Sequence, residues 1–114
     1  MFLKNSSGTA YIHNFESLDP KKEIVLFIPG AGMDHRVADL INLNPAIFNK
    51  VLSIDLPGHG GSTPTNAKSI EEYANFISNC IKEIGISDIH LCGHSMGGLV
   101  AMELASSNHR FFKS

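Results

Sequence analysis

Apolar and polar positions fall in blocks along this chain. The longest unbroken apolar run, Ile24-Val25-Leu26-Phe27-Ile28, stops at Pro29-Gly30. A run of that length bounded by turn residues predicts a strand buried on both faces, over residues 23–28. Val51-Leu52-Ser53-Ile54 and the stretch from Ile89 to Cys92 predict two more strands of the same kind. Upstream, Phe2-Leu3 and residues 9–15 read as short strands joined by a Ser6-Ser7-Gly8 turn, hence a hairpin. A polar turn over 16–22 follows. Residues 69–84 carry Ile70, Tyr73, Ala74, Ile77, Ile81 and Ile84 at three- and four-residue intervals, the apolar stripe of a helix. Ser69 and Glu72 have capping-box spacing, and Gly85 sits where a C-terminal cap belongs. Residues 97–105 begin in glycine, are rich in Leu, Val, Ala and Met, and predict a second helix. Residues 34–43 show only weak helical spacing before Pro45. Strands alternating with helices predict an α/β fold: a mostly parallel sheet with an N-terminal antiparallel hairpin, helices on both faces and right-handed crossovers. With no repeat and no linker, residues 1–114 read as part of one domain.

Composition narrows the chemistry. The chain has 114 residues, 43% hydrophobic and 18% charged, as a globular protein does. Nine Lys+Arg against eleven Asp+Glu give a net charge of −2 with no basic run, so nucleic acid is not an expected partner. The longest apolar run falls far short of the ~20 residues of a spanning helix. The N-terminus turns polar too early for a signal peptide, so a cytoplasmic protein without membrane contact is expected. Cys80 and Cys92 lack metal-ligand spacing and read as two reduced, buried thiols. His13, His35, His90 and His109 form no ligand pattern, so no metal is expected. Gly30-Ala31-Gly32 is not followed by Lys-Ser/Thr and belongs to no G-x-G-x-x-G, which leaves no nucleotide cofactor to expect.

One motif carries reactive chemistry. Gly93-His94-Ser95-Met96-Gly97 fits G-x-S-x-G, after a predicted strand and at the start of a predicted helix. In that context the serine stands on a strained turn above the sheet edge. Gly93 and Gly97 let neighbouring backbone crowd close. The new helix points its free N–H groups at the site, so the Met96 N–H is a natural oxyanion donor. Gly30-Ala31-Gly32 follows a buried parallel strand and lies at the same sheet edge, where it can offer a second N–H. His94, Met96 and Met102 read as pocket wall or core, and Cys92 as core.

Pro29-Gly30-Ala31-Gly32, Asp55-Leu56-Pro57-Gly58-His59-Gly60-Gly61-Ser62 and Gly93-His94-Ser95-Met96-Gly97-Gly98 occur in an order and spacing that resemble the α/β-hydrolase family from about Thr9 onward. The resemblance to its serine esterase, thioesterase and peptidase-like members implies Ser95 as nucleophile and the Ala31 and Met96 amides as oxyanion donors. It implies Gly30 as part of the oxyanion loop and a small acyl substrate. That loop usually begins His-Gly; here it begins Pro29-Gly30. Members that use Asp as nucleophile are disfavoured by Ser95. The Asp55 segment is implied to be a structural turn beside the pocket.

The family's triad runs serine, acid, histidine, the last two well downstream. The sequence ends at Ser114, so neither is expected here, and the chain reads as the N-terminal half of the domain, with its tail starting the next strand. His109 lies at the far end of the helix, ~20 Å away at 1.5 Å per residue. His35 and His59 lie on loops at the right edge, with no orienting acid evident. The competing expectation is a non-catalytic or complementing chain. The strand ending at Cys92 is expected to form an open edge prone to self-association.

Overall fold

The apolar stretch Ile24–Ile28 becomes strand β3 in the computed structural model, which describes residues 1–5, 8–64 and 67–114. It is flanked by β4 (Leu52–Ile54) and β5 (Ile89–Gly93), both parallel to it. Leu26 pairs with Leu52 on one side, and Ile28 pairs with Gly93 on the other. β1 (Phe2–Asn5) and β2 (Gly8–His13) form the antiparallel hairpin, whose Ser6 and Ser7 lie outside the described residues. β2 then pairs antiparallel with β4 through Ile12 and Ile54, giving one mixed sheet in the order β1-β2-β4-β3-β5.

The two-residue period of a strand sorts the side chains. Ala10, Ile12, Leu26, Ile28, Leu52, Ile54 and Ile89 point to one face and pack against helices α1 (Ile70–Ile84) and α2 (Met96–Ser107). The opposite face carries Phe27 and Val51, covered by Val37, Ala38, Ile41 and Leu43 around a 3-10 segment, His35–Leu40. Both α-helices therefore share one face; the expected helix on the other face is this single 3-10 segment. Weak periodicity before Pro45 left too little apolar stripe for a longer helix.

Helix α1 forms where its caps stand. The Ser69 hydroxyl accepts from the Glu72 N–H at 3.1 Å, and Gly85 closes the helix at φ 71, a left-handed conformation that glycine adopts without a Cβ penalty. Helix α2 ends at Asn108, whose N–H donates to the Leu104 carbonyl at 2.8 Å and whose side chain accepts from the Ser78 hydroxyl of α1 at 3.0 Å.

After α2, a 3-10 turn (His109–Phe111) leads the tail back to β5. Phe112 bridges Ile89 in parallel, Lys113 N–H donates to the Ile89 carbonyl at 2.7 Å, and Leu91 N–H donates to the Ser114 carbonyl at 2.7 Å. The tail thus starts a further strand, and the outer edge of β5 is partly paired rather than fully open. Two burial expectations are corrected. Cys92 is exposed, because it lies on the face opposite α1 and α2 and outside the cluster that the 3-10 segment forms over Phe27 and Val51. Met102, with Leu99, lies on the outer side of α2 and is 71% exposed. Cys80 is buried as expected. No described helix is long and apolar enough to cross a membrane.

Candidate active site

The turn from β5 into α2 is built around Ser95. Its backbone sits at φ 57, ψ −122, outside the regions a non-glycine residue ordinarily occupies. Such a conformation persists only where its surroundings over-determine it. Here the surroundings are bare backbone. A Cβ at Gly97 would overlap the Ile28 and Pro29 carbonyl oxygens, and one at Gly93 would overlap the Gly97 carbonyl. A Cβ at Gly30 would lie 3.0 Å from the His94 carbonyl oxygen and 3.3 Å from the Ser95 Cβ. The His94 N–H donates to the Ile28 carbonyl at 3.2 Å, tying the elbow to the end of β3. Ser95 and His94 are exposed, and Met96 is half-buried against the core. As the first residue of α2, Met96 has no carbonyl one turn back for its N–H.

The loop after β3 is a tight turn. Met33 N–H donates to the Gly30 carbonyl at 3.1 Å, with Gly32 at φ 75 as the third residue. Ala31, at its tip, is exposed. Asp34 then caps the 3-10 segment. Its carboxyl group accepts from Arg36 N–H at 3.0 Å and from the Arg36 guanidinium at 2.9 Å, and these bonds hold it below the usual carboxylate range. The structure therefore places Gly30, Gly93, His94, Ser95, Met96 and Gly97 together, with Ala31 on the adjoining turn.

A second polar centre stands beside this loop. The Asp55 carboxylate, 0% exposed, accepts three N–H bonds: His35 N–H at 2.7 Å, His35 Nδ1–H at 2.7 Å and Gly61 N–H at 2.9 Å. A Cβ at Gly60 would strike that carboxylate, and one at Gly61 would lie 2.8 Å from the Tyr11 Cβ. The Ser62 hydroxyl donates to the Asp55 carbonyl at 2.7 Å and accepts from Tyr11 N–H at 3.0 Å. The glycines and serine of the Asp55–Ser62 stretch thus exist to bring a buried carboxylate and strand β2 against one turn.

An orienting acid for His35 therefore exists, contrary to the sequence expectation, but it does not orient His35 toward Ser95. The His35 ring packs at a tilt against Tyr11 at 4.4 Å and His13 at 4.7 Å, both on β2. These ring contacts and the bond to Asp55 hold His35 on the β2 and β4 side of the sheet, with β3 between it and the β5 elbow. His59 Nδ1 is engaged by the Pro57 carbonyl at 3.0 Å. His109 lies in the turn after α2. Asp55 and His35 both follow parallel strands and so emerge at one sheet edge, which does not by itself pair them. Only the fold shows that they meet.

A family model described as alpha/beta hydrolase family matches residues 25–112, and the chain belongs to that family. The dihydrolipoyllysine-residue acetyltransferase component of the acetoin cleaving system of Cupriavidus necator is 46% identical over 87 residues, 73% of this chain and 22% of that protein. The (E)-2-((N-methylformamido)methylene)succinate hydrolase of Acinetobacter baylyi is 37% identical over 98 residues, 82% of this chain and 35% of that protein. Among solved structures, an N-acyl homoserine lactonase complexed with N-butanoyl homoserine superposes with a TM-score of 0.80 at 24% identity, over 97% of this chain and 41% of that one. The chain therefore spans less than half the length of each.

Proposed function

We propose that this chain carries the nucleophile and oxyanion part of a serine hydrolase site that transfers the acyl group of a small carboxylic ester, thioester or similar compound to water. Ser95 Oγ attacks the carbonyl carbon, and the carbonyl oxygen takes up the negative charge. The Met96 and Ala31 N–H groups hold that oxygen. Collapse of the tetrahedral intermediate expels the alcohol or thiol and leaves an acyl-serine, which water then hydrolyses. Gly30, Gly93 and Gly97 let the three segments approach, and His94 forms pocket wall. The base that takes the Ser95 proton and the acid that orients it lie in polypeptide corresponding to the part of the relatives this chain does not span.

The observation that carries this reading is the Ser95 backbone at φ 57, ψ −122, exposed between β5 and α2. A plain turn serine has no need of that strain, whereas a nucleophile elbow does. The name of the Acinetobacter relative, a hydrolase, supports the reaction type. Labelling of the native protein by a fluorophosphonate, followed by intact mass, tests it. Label on the wild type that vanishes in Ser95→Ala is the expected result. A folded wild type that takes no label supports the non-catalytic reading. Label that forms only after a second polypeptide is added supports complementation.

A further inference from the structure

We infer that His35 is a positioning residue for the oxyanion loop and acts through Asp55. This rests on the proposed role of the Ala31 N–H. The loop Gly30–His35 has two fixed ends. Gly30 is packed against the His94 carbonyl and the Ser95 Cβ. At the other end, His35 gives Asp55 two bonds at 2.7 Å, one from its backbone N–H and one from Nδ1–H. Between them lies only the turn that presents Ala31, closed by the Met33-to-Gly30 bond at 3.1 Å.

Asp55 is itself held on every side. It is 0% exposed, its third bond is to the Gly61 N–H, and the bare backbone of Gly60 is closed over it. The His35 ring is gripped as well, on Tyr11 and on His13. His13 in turn holds Asp39 at 2.9 Å, near the far end of the same 3-10 segment, and accepts or donates a bond with the Tyr11 hydroxyl at 3.3 Å. Two imidazole–carboxylate pairs of opposite sense therefore pin one short segment to β2 and β4. His35 reaches out from the segment to Asp55, while Asp39 is reached from the strand by His13. A 3-10 segment has little stability of its own, so these side chains set where the loop stands.

The Nδ1–H is the decisive group, because a leucine fills similar space and cannot donate. Asparagine supplies an N–H at nearly the same reach. A displaced N–H donor at a reacting oxygen slows chemistry by about tenfold to a hundredfold. The experiment is the rate of fluorophosphonate labelling of Ser95 in the native protein, with amide exchange at Met33 and Gly61 read on the same samples. Expected are labelling slowed about tenfold or more in His35→Leu, recovery to within about threefold of wild type in His35→Asn, and faster exchange at Met33 and Gly61 in the leucine variant only. Unchanged labelling in both variants overturns the inference. Equal slowing in both also overturns it, since ring bulk would then be the cause. If the wild type itself takes no label, the reading of Ser95 and Ala31 fails, and exchange alone decides the clamp. Faster exchange in His35→Leu with recovery in His35→Asn supports it, and unchanged exchange overturns it.

Discussion

One methyl group added at position 97 would meet two main-chain oxygens, those of Ile28 and Pro29, which have no freedom to retreat because they end a central strand. Gly97→Ala is therefore expected to destabilise the fold by about 2–3 kcal/mol, read as a lower urea midpoint at unchanged slope. Gly32→Ala is the control. Its Cβ would meet nothing within 4 Å, so only the φ of 75 is strained, costing about 1 kcal/mol. A smaller loss at 97 than at 32 would contradict the close packing of the elbow. At this scale the site was legible where glycine spacing encodes it, as at Gly93, Ser95 and Gly97. The Asp55–His35 pair was not legible. Nothing local in either segment selects the partner, and only the parallel arrangement of β3 and β4 brings the two together.

Among the elements, the tail is held by charge as much as by its ladder. Glu23 Oε1 accepts from Lys113 Nζ at 2.8 Å and meets His90 Nε2 at 3.1 Å, while His90 Nδ1 meets the Ser114 hydroxyl at 2.7 Å. The Lys113 bond first, then the His90 bond, hold the Glu23 carboxyl below the ordinary glutamate range, and Glu23 raises Lys113 in return. A carboxylate whose pKa is lowered on folding stabilises at pH above its ordinary value, and that stabilisation fades as pH falls through the lowered value. The tail is therefore expected to loosen from β5 as the pH falls below the ordinary glutamate range. Amide exchange at Leu91, whose N–H donates to the Ser114 carbonyl, reads this directly. Glu23→Gln should show the loosened tail already at neutral pH. No change at Leu91 over that fall in pH would refute the coupling. Helix α1 was readable from Ser69, its apolar stripe and Gly85, because caps and stripe act within a few residues of one another. The 3-10 segment was readable only as weak periodicity, since tertiary contacts rather than its own residues define it.

For the molecule as a whole, the two thiols report on which face is covered. Burial pushes Cys80 up to about 12, whereas Cys92 is exposed on the face opposite the helices. An aromatic disulfide reagent should therefore titrate one thiol in the native protein, mapping to Cys92 by mass, and release the second only on unfolding. Equal reactivity of both would mean that the packing of α1 on the sheet is wrong. The sequence pointed to two buried thiols because a strand such as β5 is ordinarily covered on both faces. Among the described residues that side carries the 3-10 segment with Ile41 and Leu43, and no α-helix. Met102, expected as core or pocket lining, is exposed beside Leu99, as α2 has an inner neighbour in α1 and β5 but none on its outer side among the described residues.

The strand order has a kinetic consequence. β4 follows β3 in the chain yet lies between β2 and β3, so the hairpin can join the sheet only after everything through Ile54 has been placed. β3 must likewise wait for β5, from beyond α1, to gain its second neighbour. Nearly all the sheet pairing apart from the hairpin closes long loops, whose entropy is lost before the contacts repay it. The well-capped α1, by contrast, needs only its own residues and equilibrates in about a microsecond. Refolding should therefore begin as helix without a sheet. The strained serine turn, which needs Ile28 already in place beneath it, should be among the last features to form.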